Sequence, residues 1–223
     1  MDIKQAIESR HSVRSYINRN IENDIKIQLE DCIIKCNLQS GLNIQLITDE
    51  PNTFGKSFFA HYGKFQNVNN YIVLIGKKDK NTEIHLGYYG EIIVLKAQQL
   101  GLNTCWVGLS YNKSKIDCTI NKTEKIYAVI AIGYGADKGK THKSKSPYQI
   151  CKDFDSTPEW FQDGIKAALL APTAMNQQKF HFFYSPMNKV SASTSRGFYS
   201  KMDLGIAKLH FEIGAGVENF EWL

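Results

Sequence analysis

The sequence predicts an α+β fold in which helices flank a mixed or antiparallel sheet and one structural unit occurs twice. Segments with helical apolar spacing alternate along the chain with short, strand-like apolar runs. The order of these segments recurs, because a helix leads through a break into a strand at residues 25–48 and again at residues 160–184. We therefore expect an internally duplicated chain with halves at residues 1–152 and 153–223 that form one compact unit.

The individual elements follow from apolar periodicity and from the residues that interrupt it. In the first half we predict helices at 2–9, 21–38 and 84–100, the second ended by Gly41, and extended segments at 43–48, 71–75, 105–109 and 127–132. In the second half we predict a helix at 160–171 with a capping box at Ser156 and Glu159 and a stop at Pro172, a strand at 180–184 and a helix at 202–214.

Composition and charge exclude several classes of protein. The 223 residues include 27 Lys and Arg against 22 Asp and Glu, a formal net charge of +5. Hydrophobic residues make up 43% and charged residues 22%, which is ordinary for a globular protein. No run of about 18 apolar residues is present and the first residues lack a signal-peptide pattern, so we expect a cytoplasmic protein with no membrane segment. The five cysteines are then expected to be free thiols, with Cys32 and Cys36 as packing residues on a helix.

Side-chain catalysis has no recognisable motif in this sequence. The loop at residues 133–141 follows a strand and contains glycines, but its spacing fits neither a dinucleotide fingerprint nor a P-loop. The histidines show no metal-ligand spacing, and no nucleophile elbow is present. We therefore predict no metal and assign no catalytic side chain, which favours chemistry carried by a bound cofactor.

The segment Arg10-His11-Ser12-Val13-Arg14 is the first candidate binding element. In an extended segment, residues 10, 12 and 14 project to one side, so two guanidinium groups and a hydroxyl share a face. Such a face can grip a phosphate or a polyol through charge-assisted hydrogen bonds. The alternative is a surface loop with two solvated arginines.

Two further segments are candidate elements. The turn at residues 171–178, Ala-Pro-Thr-Ala-Met-Asn-Gln-Gln, supplies uncharged donors and acceptors that suit a heterocycle or ribityl hydroxyls, or else only local capping bonds. In the apolar segment at 101–109, Gly108 would let backbone amides approach a planar ligand.

Together and in this order, these segments resemble the nitroreductase family of flavoproteins over nearly the whole chain. The Gly-Tyr-Gly turn at 133–135 and the basic Lys143-Ser144-Lys145 also fit. In the ordinary homodimers the Ala-Pro-Ser turn follows soon after the arginine motif, whereas here the early position, residues 37–43, is degenerate and the intact turn lies in the second half. The sequence thus resembles the branch in which one chain mimics the homodimer, which implies a monomer with one flavin site shared between the halves.

The resemblance implies a set of residues around flavin mononucleotide (FMN). Arg10, His11, Ser12, Arg14, Lys143 and Lys145 would surround the phosphate and ribityl chain, Pro172, Thr173 and Asn176 would border the isoalloxazine, and the backbone at Val107, Gly108 and Leu109 would face the flavin N5 atom.

The implied activity is hydride transfer from NADH or NADPH through the flavin to a small-molecule acceptor, a nitroaromatic or a quinone. A flavin-binding protein without reductase activity would share every binding motif. A nucleic-acid-binding protein using the basic residues 138–145 is a more distant alternative, which leaves the other motifs unexplained and lacks interleaved aromatic residues. We therefore expect no nucleic acid and no membrane among the partners.

Overall fold

The protein is described by a computed structural model over residues 1–54 and 65–223. These residues form two compact units. The helical unit consists of Met1–Ser9, Glu83–Glu91 and His142–Leu223, and the sheet unit consists of Arg10–Thr82 and Ile92–Thr141. The division into duplicated halves at 1–152 and 153–223 stays a prediction.

The sheet unit contains a four-stranded antiparallel sheet. Its strands are β1 (Gln45–Ile47), β2 (Asn70–Lys77), β3 (Asn103–Val107) and β4 (Glu124–Gly133), in the order β1-β2-β4-β3. The β2–β4 pair is the longest, running from Asn70 opposite Ile132 to Lys77 opposite Glu124. Because β3 stands last in this order, one of its edges has no neighbouring strand among the residues that the structure describes.

Between its two polar ends, strand β2 is apolar without interruption because both of its faces are buried. Tyr71 and Val73 lie on one face and pack in a cluster with Val129 of β4. Ile72 and Leu74 point to the opposite face, since side chains alternate along a strand, and they are fully buried as well. The burial of both faces explains why the sequence reads here as a continuous apolar run.

Two long helices begin and end close to the predicted positions. Helix α2 (Asn23–Ser40) belongs to the sheet unit, and helix α3 (Thr82–Gln99) contributes residues Glu83–Glu91 to the helical unit. Gly41 ends α2 in the left-handed conformation, with φ of 69°, and its N–H donates to the Asn37 carbonyl at 2.9 Å. This is the glycine stop that the sequence predicts.

The helical unit combines four complete helices and part of α3 with a three-stranded sheet. Its helices are α1 (Ile3–Ser9), α4 (Pro147–Ile150), α5 (Glu159–Ala168) and α6 (Ser200–Ala215). Its strands are β5 (Phe180–Ser185), β6 (Lys189–Thr194) and β7 (Glu221–Trp222), in the order β5-β6-β7. The first pair is antiparallel and the second is parallel, so this sheet is mixed. The α+β class with mixed and antiparallel sheets is confirmed.

An aromatic cluster fills the core of the helical unit. The Phe211 ring of α6 stacks on Phe182 of β5 with 4.7 Å between centroids and meets the edge of Phe161 at 5.1 Å. All three rings are fully buried. Gly164 of α5 makes room for Phe211, because a Cβ atom at residue 164 would lie 2.6 Å from that ring. The cluster fixes β5 against both helices.

Two glycines let α3 and α6 approach each other at backbone distance. A Cβ atom on Gly87 would lie 2.0 Å from the Met202 carbonyl oxygen, and one on Gly205 would lie 1.9 Å from the Ile84 carbonyl oxygen. Neither contact can be relieved by moving a flexible side chain, since both partners are backbone. The crossing therefore requires glycine on each helix.

A buried pair joins the same two helices. His210 of α6 and Glu91 of α3 are both fully buried, and Nε2 of the histidine lies 2.9 Å from the glutamate Oε1. The other ring nitrogen, Nδ1, lies 3.2 Å from the Ala167 carbonyl oxygen. Because that oxygen can only accept, Nδ1 carries a proton, which fixes the orientation of the ring.

Three local expectations differ from the structure. The capping box at Ser156 and Glu159 is wrong, because α5 begins at Glu159 with Pro158 at the N-cap, while Ser156 ends a 3₁₀ turn. The strands β6 and β7 were not predicted. Strand β6 carries a single large apolar residue, Val190, and β7 has only two residues, so neither shows the alternation that identifies a strand.

Of the two predicted packing cysteines, Cys36 is buried and Cys32 is half-buried, and all five cysteines are free thiols.

Replacing Gly205 with alanine should destabilise the helical unit by about 3 kcal/mol, because the new methyl group would overlap the Ile84 backbone and force the helices apart. Gly41→Ala is the matched control: its left-handed φ costs ~1 kcal/mol, but no atom lies within 4 Å of the added Cβ. Urea unfolding followed by circular dichroism measures both. Equal losses in the two variants would contradict a close approach at Gly205.

Candidate functional site

The arginine segment is attached to the free edge of β3 in the sheet unit. Ser12 forms a parallel bridge with Thr104, and the Val13 N–H donates to the Thr104 carbonyl at 3.1 Å. Tyr16 anchors the far end of the segment, since its buried hydroxyl donates to the Val13 carbonyl at 2.7 Å. The segment is therefore extended, as the sequence predicts, and Val13 faces the core.

The structure brings Arg10, Ser12 and Arg14 together around the thiol of Cys105 in β3. Burial is the largest influence on this thiol and raises its pKa, whereas Arg14, a hydrogen bond with Ser12, and Arg10 act in the opposite direction. Arg10 is itself buried and Arg14 is exposed, so the face extends from the interior to the surface. Two cationic groups and a hydroxyl that converge in this way form a donor set suited to a phosphate.

The loop after β4 lies against the same segment. Gly139 has φ of 69°, and a Cβ atom at this position would lie 2.7 Å from the His11 Cβ and 3.0 Å from the Ser12 carbonyl oxygen. The Gly139 N–H donates to the Asp137 carboxylate at 2.7 Å, which holds the turn. The backbone of the loop thus reaches the arginine segment only because residue 139 has no side chain.

Val107, Gly108 and Leu109 form the end of β3 and the start of the turn that follows. Val107 is buried and paired with Val129, while Leu109 is exposed. Tyr111 closes the turn through its N–H, which donates to the Leu109 carbonyl at 2.9 Å. The chain therefore changes from a paired strand to an exposed turn within these three residues.

In the helical unit, the turn at residues 171–178 has an unusual backbone. Met175, Asn176 and Gln178 have φ of 52°, 52° and 44°, values in the left-handed region that favours glycine. Side-chain and backbone hydrogen bonds hold this conformation in place. Three non-glycine residues with this backbone conformation in one turn are stable only because contacts with the rest of the unit impose it. Such strained backbone is common at binding sites.

The buried amide of Gln178 connects this turn to the two basic residues at 143 and 145. Its Oε1 accepts from the Lys145 N–H at 2.8 Å, and its Nε2 donates to the Lys143 carbonyl and to Asn176 Oδ1 at 2.9 and 2.8 Å. The Lys145 ammonium in turn donates to the Gln178 carbonyl at 2.7 Å. One side chain therefore positions both lysines relative to the turn.

Asn176 takes part in the same network. Its Nδ2 donates to the Lys143 carbonyl at 2.9 Å, while its Oδ1 accepts from Gln178. Thr173 contributes its hydroxyl, which accepts from the Gln178 N–H at 3.2 Å. Pro172 is buried before the turn begins. The amide of Asn176 thus keeps one N–H and one lone pair beyond these bonds, and its side chain lies at the surface.

Asp203, in the first turn of α6, braces the other side of the turn. Its carboxylate accepts from the Ala174 N–H and from the Gln177 Nε2, each at 3.0 Å. Burial raises the pKa of this carboxyl to about 6, although both hydrogen bonds favour the charged form. Ionisation of Asp203 therefore costs free energy in the folded protein, and two hydrogen-bond donors of the turn stabilise the resulting carboxylate.

The structure thus assembles the predicted residues in two groups. The sheet unit holds Arg10, His11, Ser12, Arg14, Val107, Gly108 and Leu109, and the helical unit holds Lys143, Lys145, Pro172, Thr173 and Asn176. The sequence analysis missed Gly139, Gln178 and Asp203. The two consecutive glutamines were visible in the turn, but no sequence signal links Asp203 to a turn 29 residues earlier.

Within residues 1–54 and 65–223, no cluster of three or more His, Cys, Asp or Glu side chains is placed to hold a metal ion. No helix in the same part of the chain combines the length and apolar character needed to cross a bilayer.

Comparison with known proteins identifies the fold. The structure is similar to that of a "putative nitroreductase" from Thermotoga maritima, with a TM-score of 0.69 at 23% identity, covering 96% of this chain and 83% of the other. The fold is thus that of a nitroreductase. The sequence pattern of the family described as "Putative TM nitroreductase" matches residues 2–215, and the chain belongs to this family of oxidoreductases. None of the curated proteins matches the chain.

Shorter nitroreductases match only part of the chain. A "putative nitroreductase" from Desulfovibrio desulfuricans, solved in complex with FMN, gives a TM-score of 0.51 at 18% identity over 65% of this chain and 92% of its own. A "putative NADH dehydrogenase/NAD(P)H nitroreductase" from Bacteroides thetaiotaomicron gives 0.50 at 16% identity over 66% and 95%. A nearly complete match to only two thirds of this chain is consistent with a duplicated pseudo-dimer.

The raised pKa of Asp203 predicts how stability depends on pH. An unfolded aspartate titrates near 3.9, so between about pH 4 and 6 the folded protein binds more protons at this group than the unfolded chain. The contribution of Asp203 to the free energy of unfolding is therefore highest below pH 4 and falls by about 3 kcal/mol as the pH rises through 6.

Asp203→Asn should remove this part of the pH dependence. Guanidinium unfolding of both proteins at pH 4.5 and pH 7 gives the difference, and Asp163→Asn, at an exposed acid on α5, is the control. If Asp203→Asn and the unmutated protein lose the same stability between the two pH values, the group does not titrate as described.

Proposed function

We propose that this chain binds FMN and transfers hydride from NADH or NADPH to a nitroaromatic or quinone acceptor. The observation that carries the proposal is the convergence of Arg10, Ser12 and Arg14 beneath the glycine loop of the sheet unit. When bound, FMN supplies a two-electron carrier whose N5 atom accepts and returns a hydride. We also propose that the protein acts as a monomer, and its mass in solution, measured by sedimentation velocity, tests this.

The arginine segment is proposed to bind the FMN phosphate. Arg14 is exposed and able to present its planar guanidinium to two phosphate oxygens, while buried Arg10 contributes positive charge from within. His11 and Ser12 are proposed to complete the phosphate site, and they lie beside Gly139, where any side chain would clash with the arginine segment. Lys143 and Lys145 are proposed to add further charge, held in position by Gln178.

The turn at 171–178 is proposed to contact the flavin ring, with Pro172 and Thr173 giving it shape and Asn176 offering its remaining N–H. The backbone at Val107, Gly108 and Leu109 is proposed to direct N–H groups at N5, where they would stabilise negative charge on the reduced ring. No side-chain base is required for this chemistry, in keeping with the lack of a catalytic motif in the sequence.

The direct test is the visible spectrum of the purified protein, with the released cofactor identified by mass spectrometry. Anaerobic mixing with NADH and with NADPH then measures loss of the flavin absorbance, and a nitroaromatic or a quinone should restore it. A flavin that is bound but never reduced by either nicotinamide would instead indicate a flavin-binding protein without reductase activity.

Arg14→Ala should weaken FMN binding about 10- to 100-fold, the effect of losing charge-assisted hydrogen bonds to the phosphate. Arg19→Ala is the control, because Arg19 lies in the same unit but pairs with Glu22 and stacks over the Tyr134 ring at 4.2 Å. Fluorescence titration of the apoproteins with FMN measures both. Undiminished flavin content in purified Arg14→Ala would refute the phosphate role.

Asn176→Ala should change the rate of flavin reduction while leaving the fold intact. Any alanine at this left-handed φ costs ~1 kcal/mol, so the control is Asn188→Ala, another asparagine with φ of 54°, in the β5–β6 hairpin. Stopped-flow mixing with NADH or NADPH measures the rate. Identical reduction rates in the unmutated protein and Asn176→Ala would argue against contact with the flavin.

A further inference from the structure

A cavity lies in the helical unit, at the edge of β5 opposite to β6. Its walls come from two stretches of chain, Lys145–Thr157 and His181–Tyr184, and its volume is about 880 Å³. Cavities that bind small molecules commonly have volumes of ~300–1,000 Å³. Of the residues proposed to hold FMN, Lys145 alone lines this cavity, so the flavin proposal leaves its interior unexplained.

The charged groups of the cavity favour an anion with a single charge. Lys145 and Lys152 line it together with one carboxylate, Asp153. Because Lys145 is also proposed to face the FMN phosphate, Lys152 is the lining lysine left to bind a second anion. Both lysines act on His181: burial first, and then the two ammonium groups, lower the pKa of its imidazole. At neutral pH His181 is therefore uncharged and offers a hydrogen bond, while the positive field around it comes from the lysines.

Exposed aromatic rings supply an apolar wall. Phe183 of β5 is 50% exposed although its neighbour Phe182 is fully buried, because alternate residues of the strand face opposite sides. Tyr148 of α4 is 52% exposed, and its ring is held by a hydroxyl bond to Asp155 at 2.7 Å and by the edge of Phe154, with 5.7 Å between centroids. Both rings are thus available to cover a flat apolar ligand.

We propose that this cavity binds a small aromatic carboxylate. The ring would lie against Phe183 and Tyr148, and the carboxylate would face Lys152 and the imidazole of His181. A single lysine left for the ligand suits a monoanion better than a phosphate dianion, and the aromatic wall favours a planar ring over an aliphatic acid.

The test uses 2-naphthoate as the probe and the neutral 2-naphthamide as its matched analogue, titrated by calorimetry into the purified protein with its cofactor bound. We expect 2-naphthoate to bind at least tenfold more tightly than the amide. Lys152→Gln should weaken its binding about 5- to 10-fold, and Phe183→Ser by a similar factor. Lys166→Gln, which removes an exposed lysine of α5 paired with Asp163, should leave the affinity unchanged.

An independent readout is the imidazole of His181, followed by nuclear magnetic resonance and assigned through His181→Asn. A bound carboxylate stabilises the protonated ring, so saturation with 2-naphthoate should raise the pKa of His181, and 2-naphthamide should not. Lys152→Gln should raise this pKa without any ligand, because one of the cations that lowers it is gone.

Three results would overturn the proposal. The first is no binding of 2-naphthoate at millimolar concentration, and the second is equal affinity for the acid and the amide. The third is binding that is insensitive to both Lys152→Gln and Phe183→Ser, whether or not the flavin is released, since the probe would then occupy a different site. None of these results depends on reductase activity, so the two proposals fail separately.

Discussion

The hydrogen bond from the Val13 N–H to the Thr104 carbonyl is the constraint on which the candidate site of the sheet unit depends. Strand β3 stands last in its sheet, and this bond uses the edge that the sheet leaves open. It fixes the register of the arginine segment, so that Val13 enters the core while residues 10, 12 and 14 surround Cys105. A shift by one residue would exchange the two faces, placing a guanidinium in the core and Val13 at the site.

In the helical unit, two side chains together fix the conformation of the turn at residues 171–178. Gln178 holds the turn from the side of Lys143 and Lys145, and Asp203 holds it from the side of α6. Together they offset the cost of three left-handed residues, each of order 1 kcal/mol. The position of Asp203 depends on the backbone contact between α3 and α6 at Gly87 and Gly205. A helix crossing far along the chain thus determines the shape of a candidate binding turn.

The sequence predicted features whose cause is local. Gly41 ended α2 because left-handed backbone favours glycine, and the face shared by Arg10, Ser12 and Arg14 followed from strand alternation alone. Features that depend on residues distant in the sequence were not predicted. Strand β6 forms because it pairs with β5 and β7, not because its own residues alternate. Asp203 reads as an ordinary acid in the first turn of a helix, and only the folded chain shows that it accepts from residues 174 and 177.

The tryptophans are distributed in a way that has a practical consequence. Of the three in the chain, Trp160 stacks on Phe220 and Trp222 lies beneath the Lys208 ammonium, both in the helical unit, whereas Trp106 belongs to β3. A chain retaining only Trp106 would carry its single indole emitter on β3, the strand to which the arginine segment is attached. Its fluorescence spectrum and quenching would then report solvent entry at that strand edge, separately from melting of the aromatic core around Phe211.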